Sequence, residues 1–329
     1  MKKTALSFAL LCATVLTANA APTFVAPEFD GHQDAVFKDA PDADVPSLPM
    51  IIPNYGGDPI VIEDISAHGA LAAAAVSGTT NFLAGIERRA VRQDGITVEG
   101  NAGTSEISGV ELKGTSFTLT SQASRGDWAY GTALSVTNGE IDKPESTASD
   151  FDALQGAAFV RWSPNGIVNV VGTLAYGKYD QQSETTLPDV STDVWAGSVM
   201  IGLASTYRVL SFEPYVGFRT MRIDDNAAEN KADVHQIPVG IRIGTETTVN
   251  DWTLTGSFDA SYTRQFGDDT LRIDLAETDA FVGTHAAKAV IGLSAQYKEA
   301  FRACVSYGYA AGDKDFEEHI GQVEASLLF

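Results

Sequence analysis

Across 329 residues the chain carries 43 acidic against 22 basic side chains, a formal net charge of −21. So negative a chain repels phosphate, which excludes nucleic acid as a partner. Beyond the first twenty residues no run approaches about 18 uninterrupted apolar positions, so a helical membrane protein is excluded as well.

The chain opens as an export signal. Lys2 and Lys3 precede an apolar stretch from Ala5 to Leu16, and Ala18-Asn19-Ala20 supplies the small-residue cleavage site, so residues 1–20 are expected to be removed ahead of Ala21. Cys12 leaves with them. Cys304 then stands alone, which rules out an intramolecular disulfide and leaves it as a small side chain on a strand. Residues 21–65 form the next unit. Positions 21 to 64 hold seven of the twelve prolines, nine acidic residues and one lysine. That mixture buries too little apolar surface to offset chain entropy, so an extended segment is expected, a short passenger or a linker.

Residues 66–92 carry the one long helical pattern. Ala70, Leu71, the run Ala72 to Ala75, Phe82, Leu83 and Ile86 fall on helical spacing, with Ser66 placed to cap the start. Arg88 and Arg89 suit the negative pole of the helix dipole. Gly69, Gly78 and Gly85 would weaken such a helix in isolation, so a close-fitting surround is expected.

From residue 93 onward the period is two. Trp252, Leu254, Gly256, Phe258, Ala260 and Tyr262 face one way, and Thr253, Thr255, Ser257, Asp259, Ser261 and Thr263 the other. Phe301, Ala303, Val305, Tyr307 and Tyr309 repeat the pattern opposite Arg302, Cys304, Ser306 and Gly308. Twelve such segments are expected, near 95–103, 110–124, 127–141, 152–163, 166–181, 193–207, 211–224, 233–247, 250–265, 285–298, 300–311 and 317–329. Tight turns around 126, 164, 209, 249 and 299 alternate with polar loops at 142–151, 182–192, 224–232 and 266–284, as in an up-and-down transmembrane barrel of even strand number. A soluble β protein would fill its interior with large apolar residues. Here the polar faces carry Arg219, Arg242, Glu246, Asp259 and Arg302. Pro214 and Pro238, which cannot donate to a ladder, are expected near strand beginnings. The alternating last strand ends on the aromatic Phe329, as bacterial outer-membrane barrels do, so Phe329 is the expected signal for the barrel-assembly machinery.

Gly126-Asp127-Trp128-Ala129-Tyr130-Gly131, running into Ala133 to Asp142, resembles the early hairpin of an autotransporter translocator domain. Phe212-Glu213-Pro214-Tyr215-Val216-Gly217-Phe218-Arg219 and Ile237-Pro238-Val239-Gly240-Ile241-Arg242 are similar to its middle strands, and Tyr307-Gly308-Tyr309 with Gln322 to Phe329 to its end. The resemblance implies an all-β, 12-stranded antiparallel transmembrane β-barrel, residues 93–329, with the N-terminal α-helix in its lumen. It also implies a monomer in the bacterial outer membrane, surrounded by outer-membrane lipid. Inward glycines at 131, 177, 202, 217, 240, 244, 292 and 308 leave space for a helix about 10–12 Å wide. Arg88, Arg89 and Arg92 are then expected either to contact lumenal acids such as Glu213, Glu246 or Asp259, or to form a solvated basic end. Two departures stand out. Only about 45 residues precede the helix, where family members carry long repetitive passengers, and Asn81 is followed by Phe82 rather than by the second asparagine at which some members cleave themselves.

Catalytic, cofactor-binding and metal-ligating motifs are not expected. His32, His68, His235, His285 and His319 lack ligand spacing, and no nucleophile elbow occurs. The expected function is therefore to anchor, and to translocate, the short N-terminal segment at the cell surface. A free-standing barrel acting through its outer loops is the alternative. Third is an outer-membrane hydrolase with Asp224, Asp225, His235 and His285 meeting at the rim. A divalent cation in the loop bearing Asp268, Asp269, Asp274, Glu277 and Asp279 is a further reading, set against a plain solvated loop.

Overall fold

Alternation of apolar and polar residues produces twelve long strands joined to their sequence neighbours. The computed structural model describes residues 62–88, 94–142, 149–182, 190–228, 230–273, 276–278, 281, 283–298 and 300–329. Helix α1 spans Ile62–Arg88. The strands are β1 (Gly95–Ile107), β2 (Val110–Arg125), β3 (Trp128–Asp142), β4 (Ser149–Trp162), β5 (Val168–Gln182) and β6 (Val190–Leu203, continued by Ser205–Tyr207). They are followed by β7 (Leu210–Asp225), β8 (Ala232–Val249), β9 (Trp252–Gly267), β10 (His285–Tyr297), β11 (Phe301–Gly312) and β12 (Glu317–Leu328). Both parts of β6 pair with β7 in one register, Gly202 opposite Tyr215 and Ser205 opposite Phe212, so they count as one strand.

Each strand pairs antiparallel with the next, and β1 pairs with β12 from Gly95–Leu328 to Glu106–Glu317, which closes the sheet. Closure leaves no free edge, the condition for a sheet to lie in lipid. The large apolar side chains point outward: Phe117, Leu134, Leu174, Trp195, Leu254, Ile291 and Leu293 are all exposed. Inside, Thr118, Thr120, Gln122, Gln155, Thr173, Arg219 and Gln236 are buried. This is the reverse of a soluble fold and matches a barrel solvated by lipid.

Two aromatic belts bound the apolar band. On the turn side Trp128 packs 6.0 Å from Trp162, and Trp252 5.1 Å from Tyr297. On the loop side Tyr176 lies 4.8 Å from Trp195. Left-handed backbone at Gly126 (φ 64°), Arg208 (57°), Asn250 (56°) and Lys298 (50°) closes the turns of the first rim. The opposite rim bears the longer connections, with two short ones after β1 and β11. Pro238 sits well inside β8, not near its start. The β7–β8 ladder is interrupted there, between the pairs Val216–Val239 and Arg219–Gln236, because proline offers no N–H.

Candidate functional site: the helix-filled lumen

The helix starts four residues before the expected Ser66, which therefore lies within it, the apolar spacing being carried upstream by Ile62 and Ile65. Ala67–Arg88 is long and apolar enough to cross a membrane alone, with mean hydropathy 1.3. Instead it lies inside the barrel. Its side chains and backbone hydrogen-bond to Gln155 and Arg161 of β4, Tyr179 of β5, Asp225 and Arg219 of β7, Gln236 of β8, Lys288 of β10 and Glu318 of β12. Only a position within the closed wall reaches all six strands.

The surround has two tiers. Toward the loop rim, Ala70 to Val76 are buried in an apolar collar with Ile107, Ile141, Phe151, Val194, Met221, Ile223, Leu271 and Phe281. Full burial of each large aliphatic contributes about 1.5–3 kcal/mol. Small residues let the helix approach the wall: a Cβ at Gly78 would lie 2.6 Å from the Tyr179 hydroxyl. The inward glycines have a different use from the one expected. A Cβ at Gly131 would overlap the Phe159 ring, one at Gly139 the Phe151 ring, and one at Gly240 the Tyr215 hydroxyl. Rings lie flat in the wall over glycines, and that keeps the middle clear for the helix.

Toward the turn rim the contacts become ionic. Glu87, 1 % exposed, receives Nε of Arg219 at 3.2 Å on both oxygens and Nη2 at 2.5 Å. Arg161, fully buried, donates through Nη2 to the carbonyl of Ile86, one of the four carbonyls a helix end leaves open. Midway, Glu318 accepts from Asn81 Nδ2 (2.7 Å), Ser77 Oγ (3.2 Å) and Lys288 Nζ (2.7 Å), while Lys288 also donates to Asn81 Oδ1 (2.9 Å). At the loop end His68 pairs with Asp225 (2.8 Å), whose carboxylate also takes Thr192 Oγ1 and the Ala227 N–H. The helix backbone leans on β3 to β7 and is bridged to the rest by these long side chains, leaving a cleft on each flank.

The expected helix-to-wall contacts are redrawn. Arg88 ends the helix and its Nε bonds the Ala84 carbonyl of its own chain; no carboxylate among the described residues pairs with it. Arg89 and Arg92 lie outside the described residues. Glu213 and Asp259 are held by Arg242 instead (3.3 and 3.4 Å), and Glu246 is exposed. The helix thus offers the acid and the wall the arginine. One signal for this was present: Glu87 is the only acid after Asp64 in the helix, and an acid in the last turn opposes the dipole and needs a cation. Phe329 is exposed at the turn rim, its N–H bonded to the Asp94 carbonyl (3.2 Å). Cys304 is partly buried on the inward row of β11.

The hydrolase constellation is dispersed. Asp225 points inward to His68, Asp224 binds Lys231, and His235 packs outward between Phe218 and Phe266. In the acidic loop Asp269 pairs with Lys314 and Asp268 accepts the Asp233 N–H; the side chains of Asp274, Glu277 and Asp279 lie outside the described residues. Among the described residues no cluster of three ligating side chains forms.

A family model described as autotransporter beta-domain matches residues 91–308. Three solved translocator structures are similar in fold. The beta domain of the Bordetella autotransporter BrkA aligns with TM-score 0.58 and 16 % identity over 71 % of this chain and 99 % of its own. The translocator domain of NalP from Neisseria meningitidis gives 0.57 and 13 % over 79 % and 99 %. The transport unit of AIDA-I from Escherichia coli gives 0.60 and 9 % over 80 % and 99 %. No curated protein sequence matches significantly. With its twelve strands, closed sheet, lipid-facing apolar band and family match, the chain belongs to the autotransporter beta-domain family, the translocator barrels of the bacterial outer membrane.

Proposed function

We propose that this translocator delivers its own short acidic segment, residues 21 to about 65, to the cell surface and keeps it anchored there, without catalysis. The direction of α1 supports the reading. Its His68 end is tied to Asp225 at the loop-bearing rim, and its Arg88 end leads toward Gly95 at the turn rim. A chain that leaves the lumen past His68 emerges on the loop side, which in transmembrane barrels of this build faces the exterior. On the same reading residues 1–20 are the cleaved signal, Phe329 is presented to the barrel-assembly machinery, and the barrel works as a monomer.

A tag at Ala21 tests it. Protease added to intact cells removes a tag that has reached the surface. Protection of the tag, in protein whose unheated form still migrates as a folded barrel, would place the segment in the periplasm and refute the proposal.

A further inference from the structure

On the loop-side half of the lipid-facing rows, four basic residues project from the strands: Lys113, Lys178, Arg222 and Arg264. Three have acidic neighbours: Glu111 at 3.3 Å for Lys113, Asp180 at 2.8 Å for Lys178, and Asp233 at 2.8 Å for Arg222. Arg264 has none among the described residues. It is exposed, stands between Tyr262 and Phe266 on the outward row of β9, and faces His285 across the β9–β10 ladder. The His285 ring lies 6.3 Å from that of Tyr262 at 25°. Asp313, 3.8 Å from His285 Nδ1, is already engaged by the N–H groups of Thr284 and His285 and by the Thr284 hydroxyl. Below Arg264 the row continues with the exposed apolar Phe258 and Leu254.

A guanidinium at the edge of a low-dielectric band without a counter-charge is costly, and its planar fork matches the oxygens of a phosphate. The protein supplies the cation, an imidazole beside it and an apolar track beneath. We infer that Arg264, with His285 beside it, binds the phosphorylated headgroup of an outer-leaflet lipid, whose acyl chains lie along Tyr262, Phe258 and Leu254. The three paired cations present no net charge and do not compete for it.

Native mass spectrometry of the full-length detergent-solubilised protein tests this, with diphosphoryl lipid A and its dephosphorylated form as probes. The parent and Lys178→Gln should retain the diphosphoryl lipid, and Arg264→Gln should bind it on the order of tenfold more weakly, about one charge-assisted contact. His285→Gln should fall between. Inorganic phosphate at matched concentration should not displace the lipid, since it lacks the acyl contacts. Equal retention by Arg264→Gln and the parent would overturn the inference, as would equal binding of the dephosphorylated lipid or displacement by inorganic phosphate. Heat-dependent gel mobility of each variant confirms that the barrel measured is folded.

Discussion

Replacing Glu87 with glutamine should loosen the plug far more than replacing Arg88 with alanine. Loss of the Glu87 charge leaves Arg219, only 7 % exposed, facing a neutral amide in the lumen. Breaking one side of a buried pair costs about 3–5 kcal/mol. Both residues line the cleft beside α1, which gives Arg219 room to turn toward it, so the lower end, about 3 kcal/mol, applies. At about 1.4 kcal/mol per decade, the population of barrels with a displaced helix should rise on the order of a hundredfold. Single-barrel recordings in planar bilayers read that population as open time. Arg88→Ala removes only a bond to the helix's own Ala84 carbonyl and should stay within about threefold of the parent. Glu87→Gln combined with Arg219→Gln should recover much of the lost closure, because residues in one ion pair are not additive. If Arg88→Ala opens the barrel as much as Glu87→Gln, or the double variant is as open as the sum of the singles, the assignment of the tie to Glu87 and Arg219 is wrong.

Further outcomes follow from the other parts of the barrel. Leu254→Arg or Phe258→Arg, on the exposed apolar row, should weaken refolding into lipid vesicles by about 2–4 kcal/mol, and Thr255→Arg, on the inward row, by clearly less; equal losses would invalidate the facing of β9. Gly78→Val forces a side chain against the Tyr179 hydroxyl, and overpacking of about 1–3 kcal/mol should appear as raised conductance with unchanged gel mobility. Burial raises the Asp313 carboxyl, but hydrogen bonds from Thr284 and His285 outweigh it and hold it at about 2, below its ordinary 3.8. Its depressed value means the tie is complete above about pH 4 and lost as pH falls toward 2, so the protection of the Thr284 and His285 amides, taken relative to the intrinsic exchange rate at each pH, should fall across that window. Asp313→Asn should exchange faster at pH 5 and lose the acid dependence.

Strand number and facing were legible in the sequence because a period of two is a local property, and a closed barrel of sequential hairpins needs no long-range decision beyond joining β12 to β1. Strand ends were less so. β1 runs to Ile107 rather than 103, since Gly103 and Glu106, residue types depleted in strands, are carried by neighbours on both sides. The ties of the lumen were not legible. Whether Glu87 meets Arg219 or another cation depends on strand tilt, stagger and the rotation of α1, none of which leaves a local pattern. The interior glycines misled for a similar reason: an absent side chain marks free space in sequence, but in the wall a side chain from the adjacent strand takes it, a ring at Gly131 and Gly240 and the Glu213 carboxylate at Gly202.

The distribution of contacts along α1 bears on how the barrel carries mechanical load. A pull on the chain ahead of the helix, directed out of the loop rim, acts along the helix axis. As long as α1 stays rigid it shares force among His68, Asn81 and Glu87 at once, as a rivet line does, rather than breaking them one by one. Behind the helix the tension passes to β1, which is hydrogen-bonded to β2 on one side and β12 on the other for nearly its whole length. Force that outlasts the rivets must then shear two ladders together, so the wall yields only after the ties of the helix have failed.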